Sequence, residues 1–247
     1  MSRITNISDG NNIEISIYFK PIRIYDEDET DTIEFINDIQ GDLITNFRVI
    51  QNNDDITQFI GEDGIMNKLT SYIETGDMCN GLFPTYITRC MLNSHAIIVI
   101  KSSLSEEIYG FAIIKFFEKD MGYIYVDIIC SKNGVKGGGH VLMTTLIKIC
   151  KILSFKQIKL HSVKSAIDFY KKYGFVKDEH GCTKISEDKG DCLMIKLFLR
   201  NTEGVIEYDI GGTNKRRTNK RRKLRKSRSN KRYNKRLTNK RNTKRIK

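Results

Sequence analysis

A strand, a turn and a helix follow one another without interruption between residues 123 and 153, and this run constrains the fold more than any other part of the chain. The apolar stretch YIYVDII at 123–129 passes through CSKN at 130–133 into GVKGGG at 134–139. Beyond it, Leu142, Leu146, Ile149 and Leu153 recur at helical spacing with Met143, Ile147 and Cys150 beside them, which predicts an amphipathic helix packed on a core. A turn that opens a helix directs several unpaired backbone N–H groups at one point, and the positive end of the helix dipole adds to them. Such a turn suits a phosphate or pyrophosphate. Glycine serves there because a ligand lying on bare backbone leaves no room for a Cβ, and because tight turns use positive φ.

The two most familiar phosphate loops do not fit. A P-loop needs glycine, four residues, then Gly-Lys-Ser/Thr, and no Lys-Ser or Lys-Thr pair follows these glycines. The dinucleotide pattern, started at Gly137 and Gly139, requires a third glycine-like residue where Leu142 stands. A six-residue pattern with glycine at its fourth and sixth places, directly after a strand and before an amphipathic helix, is met by Gly137 and Gly139. It resembles motif A of the GNAT superfamily of acetyl-CoA-dependent N-acyltransferases, in the version of its histone acetyltransferase branch, with Gly134 where that family has Gln or Arg. SVKSAIDFYKKYGF at 162–175 resembles motif B, with Ala166, Tyr170, Gly174 and Phe175 in matching places. On a helix Ala166, Tyr170 and Tyr173 share one face, and Gly174 suits the position just past a helix end.

The resemblance implies an α+β fold: a mixed, mostly antiparallel central sheet flanked by helices, with acetyl-CoA in a cleft between the strand ending at Cys130 and the strand ending at His161. The pyrophosphate would rest on amides within Gly134, Val135, Lys136, Gly137, Gly138, Gly139 and His140, with Lys136 adding a cation. Main-chain groups of Ile128, Ile129 and Cys130 would pair with the pantetheine arm, Ala166 would line the cofactor, and an N–H near Cys130 would polarise the thioester carbonyl. Tyr170 matches the family's general acid. For the general base, the glutamate of the histone-directed branch falls at Tyr123, and three alternatives remain. They are Asp127, which alternation places on the face of Tyr123 and Ile129, His161, and ordered water.

Charge divides the chain. Residues 212–247 hold 9 Lys and 10 Arg without an Asp or Glu, so the tail carries +19 while the preceding residues carry −7. A short TNKR unit recurs through it at 213, 218 and 238. So little apolar surface cannot offset the entropy of ordering, and the tail is expected to be disordered alone and to bind nucleic acid or another polyanion by counterion release. Large DNA viruses carry tails of similar composition.

Apolar runs reach only about ten residues, short of the 18 to 20 of a membrane-spanning helix, and the N-terminus lacks the order of a secretory signal, so the expectation is an intracellular protein, cytoplasmic or nuclear. The six cysteines form no C-x-x-C pair and are expected to be reduced, mostly structural thiols. His180, Cys182 and Cys192 lack the partners of a zinc site, and no metal is expected.

Residues 1–59 read as an N-terminal extension with a strand at 13–19, a further strand at 22–25, and an ambiguous stretch that admits a helix at 32–39 and a strand at 46–51. Residues 60–201 read as the acyltransferase domain, with helices at 65–73 and 85–92, a meander at 96–101, 108–117 and 122–130, a strand at 157–161, the motif B helix to Tyr173 and a last strand at 192–199. Residues 202–247 are linker and tail. The leading function is N-acetyl transfer to a primary amine in a ternary complex. The alternatives are an inactive scaffold whose tail binds nucleic acid, and an enzyme whose own tail lysines are the acceptors.

Overall fold

Every residue from Ala96 to Ser102 is buried, as in a strand covered on both faces. The computed structural model describes residues 5–6, 12–21, 30–50, 56–79, 81–117, 122–182, 191–201 and 204–207. The expected strand at 22–25 and the basic tail at 212–247 lie outside the described residues.

The chain begins with β1 (Thr5–Asn6) and β2 (Ile13–Phe19), then α1 (Thr30–Ile44) and β3 (Arg48–Ile50). Helices α2 (Thr57–Ile60), α3 (Ile65–Glu74) and α4 (Pro84–Leu92) follow. Ile65, Met66, Leu69 and Ile73 give α3 one buried stripe, and α4 starts on Pro84, whose missing N–H costs nothing in the first turn. The expected meander is β4 (Ala96–Ser102), β5 (Ile108–Phe117) and β6 (Tyr123–Ser131). After β7 (Val135–Lys136) come α5 (Gly138–Ile152), β8 (Gln157–Val163), a 3-10 turn (Lys164–Ala166) and α6 (Ile167–Lys171). The last described elements are β9 (Val176–Cys182), β10 (Asp191–Asn201) and β11 (Gly204–Glu207).

The fold class is as expected: a mixed, mostly antiparallel sheet in the order β11-β10-β8-β6-β5-β4-β2-β3, with β9 also paired to β10 and helices on both faces. Within it only β2–β3 and β6–β8 run parallel among the described strands. One face packs α1, α5 and α6 on a cluster that includes Leu142, Leu146 and Ile149 of α5. The other packs α2, α3 and α4 on Ile97, Val99, Phe111, Ile113 and Ile128. Full burial of each aliphatic side chain in these layers contributes about 1.5 to 3 kcal/mol. The strand at 13–19 pairs with β4 along its whole length, from Ile13↔Ser102 to Phe19↔Ala96, so it is an interior strand of the same sheet.

The motif B helix is shorter than its apolar spacing implies. It opens as 3-10 helix, stops at Lys171, and closes with tight bonds from Lys172 N to Phe169 O (3.2 Å) and Tyr173 N to Tyr170 O (2.9 Å). Gly174, at φ 79°, then reverses the chain into β9, as a glycine past a helix end does.

Candidate active site

The expected cleft is a gap in the sheet. Parallel pairing of β6 with β8 runs from Tyr123↔Gln157 to Val126↔Leu160 and stops. Beyond that point β6 continues against β5 to Ser131, and β8 continues against β10 to Val163. Each strand therefore keeps its outer neighbour while the edges they turn toward each other separate.

A β-bulge sits at the parting. Ile113 pairs with Ile128 and Ile114 with Val126, which leaves Asp127 as the extra residue. Bulges bend a strand and re-aim its side chains. Simple alternation, which put Asp127 and Ile129 on one face, is broken here: Ile129 packs with the α5-side cluster, whereas Ile128 and Cys130 belong to the α4-side cluster.

At the far end of the gap, Gly137 caps α5 in the left-handed region at φ 95°, with no side-chain cap. The first helical bond runs from Val141 N to Gly137 O (3.0 Å), so the amides of Gly138, Gly139 and His140 have no partner within the helix. A Cβ on Gly138 would lie 2.8 Å from the Ser131 Cβ at the end of β6, and one on Gly139 would lie 3.2 Å from the Phe169 ring of α6. The bare backbone is thus held closely by both walls. Val135 contributes differently from the expectation, because its N–H donates to Lys132 O (3.1 Å), and Val135–Lys136 pairs in parallel with Thr5–Asn6. Gly134 has φ 78° and open space beside it, so the Gln or Arg usual at that place would be strained in this loop.

Tyr170 of α6 is 6% exposed and packs among Phe169 and Phe175, with ring centroids at 5.1 and 5.8 Å. Burial pushes its pKa up to about 12, so the phenol is neutral across the physiological range. Ala166, one turn earlier, is half-buried against the same cluster. Tyr170 thus stands on the α5 side of the gap and Asp127 on the α4 side, where it acts on Tyr86 and Cys90. A group lying in a gap between strands is reachable from both faces.

The Asp127 Oδ2 lies 3.1 Å from Lys115 Nζ yet is buried without a well-formed hydrogen bond. Distance satisfies an ion pair here while direction fails a hydrogen bond, and the contact is best read as electrostatic. His161, the third sequence candidate, is exposed at the end of β8 with its ring 6.3 Å from that of Tyr125. Two residues of α4 enter the picture without a sequence signal. The Tyr86 hydroxyl faces the Cys90 thiol although the tyrosine is exposed, and burial raises the thiol. Their i, i+4 spacing is visible in the sequence, but only the bulge brings Asp127 to them.

The thiol expectation needs correction. Cys79 and Cys130 form a disulfide, with Cα atoms 5.4 Å apart. The bulge turns Cys130 toward the α3 side, and the loop after α3 arrives there with Cys79 at φ 54°. Asn133 fixes the same loop through its N–H to Asp77 O and its side-chain Nδ2 to Gly76 O, both 2.8 Å. Cys90, Cys150 and Cys192 are buried thiols, as expected, and the side chains of His180 and Cys182 lie outside the described residues. Among the described residues no helix is long and apolar enough to cross a membrane.

No protein-family model matches the chain, and no curated protein matches it in sequence. Several solved structures similar to it are acetyltransferases of low identity. A GNAT-family acetyltransferase from Desulfovibrio desulfuricans is 11% identical over 53% of this chain and 91% of its own, at a TM-score of 0.43. A GNAT-family acetyltransferase from Elizabethkingia anophelis, solved with acetyl-CoA bound, is 16% identical over 45% and 80%, at 0.36. The spermidine/spermine N-acetyltransferase SpeG from Vibrio cholerae, in mutant form, is 15% identical over 55% and 90%, at 0.42.

Proposed function

We propose that the chain is an N-acetyltransferase that joins an acetyl group from acetyl-CoA to a primary amine by direct attack in a ternary complex. The observation that carries this reading is the gap between β6 and β8, which runs from the Asp127 bulge to the bare start of α5. The residues fit the cofactor: the amides of Gly138, Gly139 and His140 suit a diphosphate, and Gly138 leaves no room for a side chain. The edge at Ile128, Ile129 and Cys130 faces the gap without a β8 partner, as an added strand of amides requires.

Acetyl-CoA, when bound, supplies an activated thioester. A backbone N–H at the opened edge of β6 polarises its carbonyl. Asp127, directly or through water, takes a proton from the acceptor ammonium, which makes the nitrogen nucleophilic. Tyr170 gives its proton to the departing sulfur from the opposite face of the sheet. His161 is the weaker candidate for base, being exposed and already engaged.

Isothermal titration with acetyl-CoA tests the reading, and absence of binding at millimolar ligand ends it. The +19 tail supports a second function, retention on a nucleic acid. Removing residues 212–247 separates the two: acetyl transfer to a small amine persists, while salt-sensitive binding to duplex DNA or RNA disappears. Mass spectrometry after incubation with acetyl-CoA decides whether the tail's nine lysines are acceptors in cis; an unmodified tail excludes it.

A further inference from the structure

Nothing among the described residues bonds to the hydroxyl of Tyr170, so its direction is set by where α6 sits. That helix is only five residues long, too short to hold itself together. Its anchor is Tyr173. The Tyr173 amide bonds to Tyr170 O at 2.9 Å. Its hydroxyl lies 2.8 Å from Nδ1 of His140, the third residue of α5, whose own amide belongs to the cradle. Its carbonyl accepts a hydrogen bond from Lys196 Nζ. Lys196 is 1% exposed on the buried face of β10, between Met194 and Phe198. A lysine is costly in such a place unless its ammonium is engaged, and here it meets the negative end of α6.

Resting on the acetyltransferase reading, we infer that Tyr173, held by His140 and Lys196, is the positioning residue for the acid. It ties the helix that carries Tyr170 to the helix start that carries the cradle, so the short helix takes its position from the long one. The Tyr173→Phe change removes one oxygen and keeps the ring against Phe169. Expected is a fall in kcat of about tenfold to a hundredfold, as for a small misplacement of a reacting group, with the KM for acetyl-CoA nearly unchanged. Lys196→Met, which fills the same apolar volume, should show the same split. In a double-mutant cycle, adding His140→Ala to Tyr173→Phe should cost little more than either alone. Tyr170→Phe measured beside them separates the failures. If Tyr170→Phe is inactive while Tyr173→Phe keeps full kcat, the positioning role is wrong and the acid reading stands; if Tyr170→Phe is fully active, both fall.

A different observation carries a second inference. From Asp127 onward β6 has no support from β8, and what braces it on the α3 side is the loop at 76–79, through the Cys79–Cys130 disulfide and the two bonds of Asn133. Both cysteines are partly exposed. The geometry points to a thiol-responsive brace of the cleft. A dithiol reductant attacks one sulfur, the S–S bond breaks, two electrons and two protons yield the Cys79 and Cys130 thiols, and the reductant closes to its own disulfide. Expected on reduction with dithiothreitol is faster amide exchange over residues 127–133 and an acetyl-CoA Kd raised about threefold to tenfold, the cost of ordering a loosened edge on binding. Cys79→Ser should match the reduced protein and ignore reductant. An unchanged Kd and unchanged exchange on reduction overturn this, and binding of acetyl-CoA by the oxidised protein shows independently that the cofactor reading holds.

Discussion

The start of α5 and the bulged end of β6 border one cleft but are made of opposite materials. At α5 the proposed working groups are main-chain amides, and the glycines there keep side chains out of the way. Beside β6 the proposed reacting groups are side chains, Asp127 on the strand, aimed by a single extra residue, and Tyr170 on α6 across the gap. A site made of backbone tolerates almost any side-chain truncation but no added bulk. One made of side chains behaves the other way round, and that contrast can be tested from both ends.

The largest effect is expected on the side-chain half. Tyr170→Phe keeps the ring among Phe169 and Phe175 and removes only the proton donor, so kcat should fall about 10²- to 10⁴-fold while acetyl-CoA binds as before. Asp127→Asn should lower kcat over a similar range and His161→Ala by far less. Equal losses from both would mean that a proton path through water and His161 replaces the direct one.

On the backbone half, Gly138→Val should weaken acetyl-CoA by about a hundredfold, which corresponds to roughly 3 kcal/mol from misaligned charge-assisted hydrogen bonds. The added Cβ meets the Ser131 Cβ, 2.8 Å away, and pushes the helix start from β6. Titration calorimetry reads the loss. Normal binding by the Gly138→Val protein would remove the cradle from the start of α5.

How far each half could be read from the sequence follows from the same contrast. Three adjacent glycines between an apolar run and an amphipathic stripe specify a strand, a turn and a helix N-terminus with local information alone, and the structure has all three where they were expected. The meander and the short helices before it are equally local. The bulge is not: it depends on how β6 registers with β5, so alternation misplaced Ile129 relative to Asp127 and gave no hint that Cys130 would turn to Cys79. Residues 30–50 gave only an ambiguous helix at 32–39 and strand at 46–51, which the structure has as α1 and β3; their bounds were blurred because β3 is three residues long and α1 is stabilised by burying Ile36, Ile39 and Leu43 on a sheet that the local sequence does not reveal.

Acidity supplies a control on this comparison. His95 is mostly buried, and burial, with Lys20 and Lys115 nearby, lowers its pKa to about 4 while its Nδ1 accepts the N–H of Phe116 at 3.0 Å. The folded protein therefore resists a proton that the unfolded chain takes up below its ordinary value of 6.5. Stability from this group is complete above pH 6.5 and is lost as pH falls toward 4, by at most about 3 kcal/mol. His95→Asn keeps an acceptor for Phe116 without titrating, and denaturant melts at pH 7 and pH 4 should differ less for it than for the native chain. Loss of acetyl transfer that persists in this variant at pH 5 then belongs to the reacting groups rather than to the fold, whereas loss that vanishes belongs to the fold.

The smallest expected effect is the sharpest discriminator between backbone and side-chain recognition. Lys136 is the one charged residue within the glycine turn at 134–139, and it is exposed. If amides hold the diphosphate, an exposed ammonium beside them adds only a screened attraction, so Lys136→Ala should raise the acetyl-CoA Kd by about twofold to fivefold at low salt. Raising the salt should shrink even that difference, since added ions screen the ammonium but leave the amides in place. A loss of a hundredfold at low salt would make Lys136 the anchor and demote the helix start to a spacer. Titrations of the native and Lys136→Ala proteins at two ionic strengths distinguish the two by the size of the gap at low salt, while its narrowing as salt rises shows that the lysine acts as a screened charge.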